Sequence, residues 1–506
     1  MPVWTFVRKS CYQDSVTLMR LSHDMEAVEG VRMAAAMMGT EANLALLRRA
    51  GLLASDAETA EPADLVIAVD ATGAAAAERA RAAAESALST HRSRGAGTAA
   101  SPPRTLRSAL RALPTATLAL VSVPGAYAGA EAMKALRAGL HVMVFSDHVP
   151  VETEIALKRA ALARGRLMMG PDCGTAIIDG VPLGFANAVP RGRVGIAAAS
   201  GTGLQEVACL LAAAGEGVSQ AIGVGGRDCS EAVGGLMMSR ALAILGDDPD
   251  TRVVCLVGKP PAPAVTRRLG EEAARLGKPC VAHFTGGAPP GGAWHVAATL
   301  EDTARAAAAL ARGERPAPVE FTASDDEVAR LVDESAAGLT PGRQFVRGVY
   351  SGGTLAWEAV TILAGALERV TPGVGGGGDG HRVVDLGDDA FTLGRPHPMI
   401  DGRVRREWIE REGRDPGTAV LLLDVVLGYG AHADPVAELL PALDAVRQER
   451  RIAIVASVCG TDHDPQNRTA QVGALRAHGV AVMPSNAQAA RLAARIAARA
   501  TKNSPP

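Results

Sequence analysis

A chain of 506 residues has room for about three or four compact units. Its 52 Lys and Arg against 54 Asp and Glu leave a formal net charge of −2, which argues against a nucleic-acid surface and against an acidic solvating tail. Hydrophobic residues make up 48% of the chain but aromatics only 3%, and 56 Gly with 30 Pro punctuate the chain at short intervals, as in an α/β protein with many tight turns. The apolar runs 116–123 and 420–426 fall far short of the ~20 residues of a membrane-spanning helix. The start of the chain reads as a short strand followed by charge, without the apolar core of a signal peptide, so the cytoplasm is expected. Seven cysteines at 11, 173, 209, 229, 255, 280 and 459 form no CxxC pair, so neither a disulfide framework nor a zinc knuckle is indicated.

In chain order, strand patterns at 4–7, 31–37 and 65–69 alternate with helical ones at 14–26, 41–50 and 74–88, a βαβαβα rhythm that predicts a sheet with crossover helices. Residues 90–104 are polar, basic and rich in Gly and Pro, a linker. A Rossmann-like unit over 105–190 follows, with strands at 118–123, 141–145 and 167–169; its last, Gly- and Pro-rich segment from Gly170 reads as a boundary. A flavodoxin-like unit over 191–315 opens with the strand 194–198, the turn Ser200-Gly201-Thr202-Gly203 and a helix. After a linker at 316–342, a unit over 343–502 repeats that cadence, so the two look like copies of one fold. The fold class is thus α/β, in tandem doubly wound parallel sheets.

Ligands of such sheets sit beyond the carboxyl ends of the strands, where helix starts offer free N–H groups to an anion. Two turns are candidates for gripping one phosphate: Ser200, Gly201, Thr202 and Gly203, and the turn Gly428, Tyr429, Gly430 and Ala431 after the strand 420–426. Either could also simply turn the chain. In the loop Gly225-Gly226-Arg227-Asp228, Arg227 either holds a substrate carboxylate or pairs with Asp228; Asn187 is a further substrate-binding candidate. The densest polar stretch runs from Asp385 to Asp401. There Arg395 could hold a carboxylate or phosphate, His397 could move protons, and Asp388 with Asp389 could bind Mg²⁺ or be solvated. Cys173 lacks a neighbouring base, and the segment 461–465 reads equally as a crevice loop or a helix cap.

The segments GPDCGT, GRVGIAAASGTGLQE and GVGGRD resemble the α subunit of succinyl-CoA synthetases, and LLLDVVLGYGAHADP resembles the carboxy-terminal ligase domain of the β subunit. Together with the opening FVRKSCYQDSVTLMRLS and DLGDDAFTLGRPHPMID, nearly the whole chain resembles the FdrA family. That resemblance implies a cytoplasmic enzyme subunit, acting with other subunits as an oxamate carbamoyltransferase that handles an acyl phosphate and a small carboxylate. Its alternatives are an acid-thiol ligase working with a nucleotide-binding subunit, and a non-catalytic assembly subunit. The departures are informative. The synthetases carry their phosphoryl group on a histidine in a GHAGA segment, whereas residues 285–295 here lack it and offer only His295 nearby. Where they place a glutamate that orients that histidine stands Lys259, a cation suited to an anion. No GxxxxGK[ST] loop or ATP-grasp region is present, and the first unit lacks the glycine-rich loop that receives CoA, which argues against CoA as a cofactor.

Overall fold

A computed structural model describes residues 3–13, 15–94, 103–287, 294–340, 342–373, 380–392, 397–449 and 451–503. The chain divides into two units, residues 1–116 with 122–124, and residues 117–121 with 125–506.

The first unit contains β1 (Val3–Arg8), α1 (Ser15–Glu26), β2 (Val31–Met38), α2 (Glu41–Arg49), β3 (Leu65–Ala71), α3 (Ala74–Arg94) and α4 (Leu106–Ala112). Its elements fall where the rhythm predicts, but the sheet is antiparallel, in the order β1-β3-β2. β1 and β2 run parallel with a gap that β3 fills from the opposite direction, which is a split βαβ arrangement. The sequence of β3, LVIAVDA, is nearly all buried because both of its faces are covered: Leu65, Ile67 and Val69 pack with Leu21 and Ala80, and Val66 and Ala68 pack with Leu44 and Leu47. α3 continues six residues beyond the predicted helix to Arg94, into the expected linker; residues 95–102 lie outside the described residues.

The second unit starts with a three-stranded sheet of β4 (Leu118–Val121), β5 (His141–Val144) and β6 (Met168–Met169), in that order and parallel, with α5 (Gly125–Arg137) and α6 (Val151–Leu162). The segment expected to be a boundary instead forms the hairpin β7 (Thr175–Ile178) and β8 (Val181–Gly184). β7 pairs with the next sheet, so these residues extend the ligase-like layer.

That sheet is built by β9 (Arg191–Ala198), α7 (Gly201–Ala213), β10 (Val218–Gly223), α8 (Leu236–Asp247), β11 (Val253–Gly258), α9 (Pro263–Arg275), β12 (Cys280–Phe284), β13 (His295–Val296) and α10 (Leu300–Ala311). Its order is β13-β12-β11-β9-β10-β7-β8. The remaining elements are α11 (Asp325–Ala337), β14 (Phe345–Tyr350), α12 (Gly353–Ala366), β15 (Val370–Pro372), β16 (His381–Asp385), α13 (Asp389–Thr392), α14 (Arg403–Arg414), β17 (Thr418–Val426), α15 (Pro435–Glu449), β18 (Ala453–Cys459), α16 (Arg468–Ala477), β19 (Ala481–Met483) and α17 (Asn486–Asn503). They form a fully parallel sheet in the order β15-β16-β14-β17-β18-β19. Counting strands from β9 and from β14 and setting the edge strand β15 aside, both sheets read 2-1-3-4-5, the flavodoxin-like order. The expected internal duplication is therefore present in the topology. The 316–342 segment is more than a linker: α11 buries Val328, Val332 and Ala336, and Arg499 of α17 pairs with Asp333 at 3.1 Å.

α7, α10, α12 and α17 form one apolar layer with the inner faces of both sheets, contributing Leu204, Ala304, Leu355 and Leu492 among others. Inside it lies a polar seam centred on Asn486, which is fully buried. Its backbone N–H donates to Glu206 at 3.0 Å, and its side-chain amide donates to Glu358 at 2.8 Å and to the carbonyl of Leu355 at 2.9 Å. Its side-chain oxygen accepts from the hydroxyl of Tyr350 at 3.1 Å. Glu358 also accepts the N–H of Leu300 at 2.7 Å. Burial holds the Glu206 carboxyl above its ordinary range and pushes Glu358 up to about 7.

Replacing Asn486 by Leu strips Tyr350 and Glu358 of a partner at once, at roughly 1 to 3 kcal/mol for each group left unsatisfied. The thermal midpoint of the Asn486→Leu chain should fall by several degrees in calorimetry; an unchanged midpoint would remove the seam from the account of stability.

Candidate functional site

The glycine turns at the carboxyl ends of β9 and β14 start the two helices that meet. At the first, Ser200 is the N-cap of α7, its side chain accepting the N–H of Gly203 at 3.0 Å. At the second, Ser351-Gly352 leads into α12, with Gly352 as N-cap. The hydroxyls of Ser200 and Thr354 lie 2.5 Å apart, so one hydrogen bond joins the two helix starts. The backbones come so close that a β-carbon on Gly352 would stand 3.1 Å from the methyl of Thr202, and one on Gly203 3.2 Å from that of Thr354. Among the described residues no acceptor takes the N–H groups of Gly201, Thr202, Gly353 or Thr354. Helices of 13 and 14 residues thus direct their positive ends at one place.

Buried Asp424 fixes the start of α12. It accepts the N–H groups of Ser351 and Gly352, each at 2.8 Å, and is ion-paired at 3.0 Å with Arg405, which is itself buried. Sequence reading missed both residues, because each lies inside a regular element.

Asp385 ends β16 beside this place. One of its carboxylate oxygens accepts the N–H of Gly387 at 2.9 Å; the other has no partner among the described residues and stands 2.6 Å from where a β-carbon on Gly353 would be. Burial pushes the Asp385 carboxyl up to about 7, and the carboxylates of Asp424 and Asp388 add to that, while the charge of Lys259 opposes it. Lys259, exposed just after β11, therefore reaches the electrostatic surroundings of the helix starts. His397 is at the site as well. Its Nε2 lies 2.8 Å, and an Asp385 oxygen 3.1 Å, from the position of a β-carbon on Gly387. Its Nδ1 accepts the N–H of Met399 at 3.2 Å, and burial holds the ring at about 4, so at neutral pH it is uncharged with its proton on Nε2.

Other predicted residues lie elsewhere. The turn Gly428, Tyr429, Gly430 and Ala431 is no helix start, since α15 begins only at Pro435. Its N–H groups at 428 and 429 are taken by Gln466 at 3.1 Å and by the carbonyl of Ala186 at 2.9 Å, and Gly428, at φ +116°, lets the chain pass that carbonyl. The counterpart of Ser200 to Gly203 is therefore residues 351–354. Asn187 is saturated, donating to Asp464 at 2.8 Å and to the carbonyl of Leu427 at 3.0 Å and accepting from Gln205 at 3.1 Å. Asp464 thereby ties the 461–465 loop to residues 187 and 188. Arg227 pairs at 3.0 Å with Glu154 rather than with Asp228, which takes buried Lys158 at 2.7 Å. Gly225 presses on the carbonyl of Pro171, and Gly226 faces Asp172, so this loop is a structural joint. Cys173 is buried, with its thiol pushed up to about 12, which leaves it no thiolate for nucleophilic attack.

His295 is exposed on the edge strand β13, three strands from β9 and so roughly 14 Å from it at the usual strand spacing. Residues 288–293, in the stretch aligned with the synthetases' histidine segment, lie outside the described residues, as does Arg395. Asp388 is exposed and accepts the N–H of Ala390, as a cap of α13; the side chain of Asp389 is not described. Among the described residues no three His, Cys, Asp or Glu side chains are grouped to hold a metal, and no helix is long and apolar enough to cross a membrane.

Residues 349–496 match the family model described as CoA-ligase, and residues 1–103 match that of an AllF, heavy metal-associated domain. The chain is 38% identical to the uncharacterized protein YahF of Escherichia coli K12 over 97% of its own length and 98% of that protein's. The chain belongs to the FdrA family. It is also 30% identical to the α subunit of the ADP-forming succinate–CoA ligase of Methanothermobacter thermautotrophicus, over 34% of this chain and 58% of that subunit. A solved acetyl-coenzyme A synthetase of Ca. Korarchaeum cryptofilum aligns over 76% of this chain and 83% of that one, at 16% identity and a TM-score of 0.29, a likeness too loose to argue from. Among the described residues of the first unit no three His, Cys, Asp or Glu side chains are grouped to hold a metal. Cys11 is the single cysteine of the first 103 residues, buried and 3.6 Å from the amide nitrogen of Gln13.

A carboxyl raised from 3.8 to about 7 on folding opposes folding once it ionises. The cost is absent below about pH 4, grows as pH rises toward 7, and is complete above that, at about 4 kcal/mol or less. Asp385→Asn should therefore match the unaltered chain in denaturant stability at pH 4 and exceed it at pH 8. Equal stability at both pH values would mean that the carboxyl is not held in this way.

Proposed function

We propose that the chain is the acyl-phosphate-handling subunit of a phosphate-dependent carbamoyltransferase, taking oxalurate and phosphate to oxamate and carbamoyl phosphate in allantoin breakdown. The observation that carries this reading is the hydrogen bond between Ser200 and Thr354, which brings together two helix N-termini whose first N–H groups have no acceptor among the described residues. Hydrogen phosphate held there would be desolvated on one side and aimed by fixed donors. One phosphate oxygen attacks the carbamoyl carbon, the bond from that carbon to the oxamate nitrogen breaks, and the electron pair goes to the nitrogen. The proton that phosphate loses ends on the same nitrogen, so the step balances without an oxidant or a nucleotide. Lys259 supplies positive charge to the phosphate as the bond forms. The AllF description of the first unit is consistent with a place in allantoin metabolism. With Arg227 engaged by Glu154, the group that holds the oxamate carboxylate comes from another part of the site or from a partner subunit.

The CoA-ligase match over residues 349–496 favours one second reading, an acid-thiol ligase acting with a nucleotide-binding subunit. Isothermal titration of the chain with phosphate, CoA and MgATP in parallel separates the two. The carbamoyltransferase reading expects heat with phosphate alone, and about a tenfold weaker phosphate affinity for Lys259→Met, the size of one lost charge-assisted contact. Tight CoA binding without a phosphate response would put the ligase reading first.

A further inference from the structure

We infer that a small cavity beside the start of α12 is the seat of one ordered water molecule, which accepts from Arg405 Nε and donates to Glu438. The cavity and the anion seat proposed above stand or fall separately.

The cavity lies among α14, α15, the end of β17 and the start of α12. Met399, Val426 and Leu439 give it apolar walls, and Arg405, His432 and Glu438 bring polar groups to it. Its volume, about 10 Å³ for the centre of a water, is room for one water molecule. Arg405 is buried, and its Nη2 is spent on the carboxylate and carbonyl of Asp424 and on the carbonyl of Val349. Its Nε–H is buried as well and has no acceptor among the described residues. Leaving a buried N–H of a charged group unpaired is costly, so such a donor calls for an acceptor that the protein itself does not provide.

Glu438 supplies the other half. One of its oxygens lies 2.7 Å from where a β-carbon on Gly402 would be, and its carboxylate makes no hydrogen bond among the described residues. His432 Nε2 stands 3.8 Å from it, beyond direct hydrogen-bond reach, a gap of the kind that a shared water closes. His432 Nδ1 accepts the N–H of Asp434 at 3.1 Å, so the neutral ring carries its proton on Nε2 and offers a second donor. Burial works against the charge of Arg405, and the carboxylates of Asp424 and Glu438 both support it. The occupant must therefore accept from a guanidinium N–H and donate to a carboxylate. Chloride accepts but would meet Glu438 as a like charge, and ammonium donates but cannot accept from Arg405; water does both. Asp424 holds the N–H groups of Ser351 and Gly352, so through Arg405 and Asp424 the water links α15 to the start of α12.

The test is a crystal structure of the full chain at a resolution that places ordered water, with a second crystal soaked in sodium bromide. The expected result is a spherical peak within about 3 Å of both Arg405 Nε and a Glu438 oxygen, with no anomalous bromine signal. An empty cavity, a bromide in it, or an Arg405 Nε–H bonded directly to a protein acceptor would overturn the inference. Glu438→Leu removes the acceptor of the water and leaves the pairing of Arg405 with Asp424 in place, so the peak should vanish. Glu438→Gln keeps an acceptor oxygen and should retain it. A water that holds its place in Glu438→Leu, or is lost in Glu438→Gln, would contradict the assignment of Glu438 as its partner.

Discussion

Two helices that start on different sheets can serve one ligand only if the sheets are held face to face, and in this chain the lock is the buried seam around Asn486. Apolar packing of α7, α10, α12 and α17 supplies most of the burial but is tolerant of small slides. The hydrogen bonds that Asn486 donates to Glu206, Glu358 and the carbonyl of Leu355 and accepts from Tyr350 are not, because a shift would leave buried polar groups unpaired. The contact between Ser200 and Thr354 is thus the outcome of packing set deeper in the same layer, and the site inherits the accuracy of the seam.

The chemistry of the site follows from charge placement. Facing helix starts and Lys259 favour an anion, while Asp424 is withdrawn from it by its bonds to Ser351, Gly352 and Arg405. Asp385 is the exception, a carboxyl beside the proposed anion seat, held where burial disfavours its charge. A group kept at a cost to stability is most readily understood where it meets substrate.

Much of the fold was legible in the sequence. Nine consecutive buried residues in β17 read as an apolar run because both faces of a parallel sheet are covered, and the strand, glycine turn and helix cadence identified both ligase-like repeats. The antiparallel pairing of the first unit was not legible, since a βαβαβα rhythm does not state which strands are neighbours. At the site, residues 200–203 were found because a capping serine and glycines at a strand end are a local signal. The loop at 428 gave the same local signal for a different reason, namely passage under Ala186. Asn187 and Arg227 found partners 277 and 73 residues away, which no local pattern reveals. Asp385 reads as the polar end of a strand, so attention fell on Asp388 and Asp389, whose consecutive charges are more conspicuous.

The most direct measurement of the central claim is a crystal structure of the chain with bound phosphate. The account predicts density in front of the joined helix starts, within about 3 Å of the amide nitrogens of Thr202 and Thr354, the normal reach of an N–H donor. A phosphate held at the Gly428 turn instead, or helix starts that stand apart without the bond between Ser200 and Thr354, would contradict it.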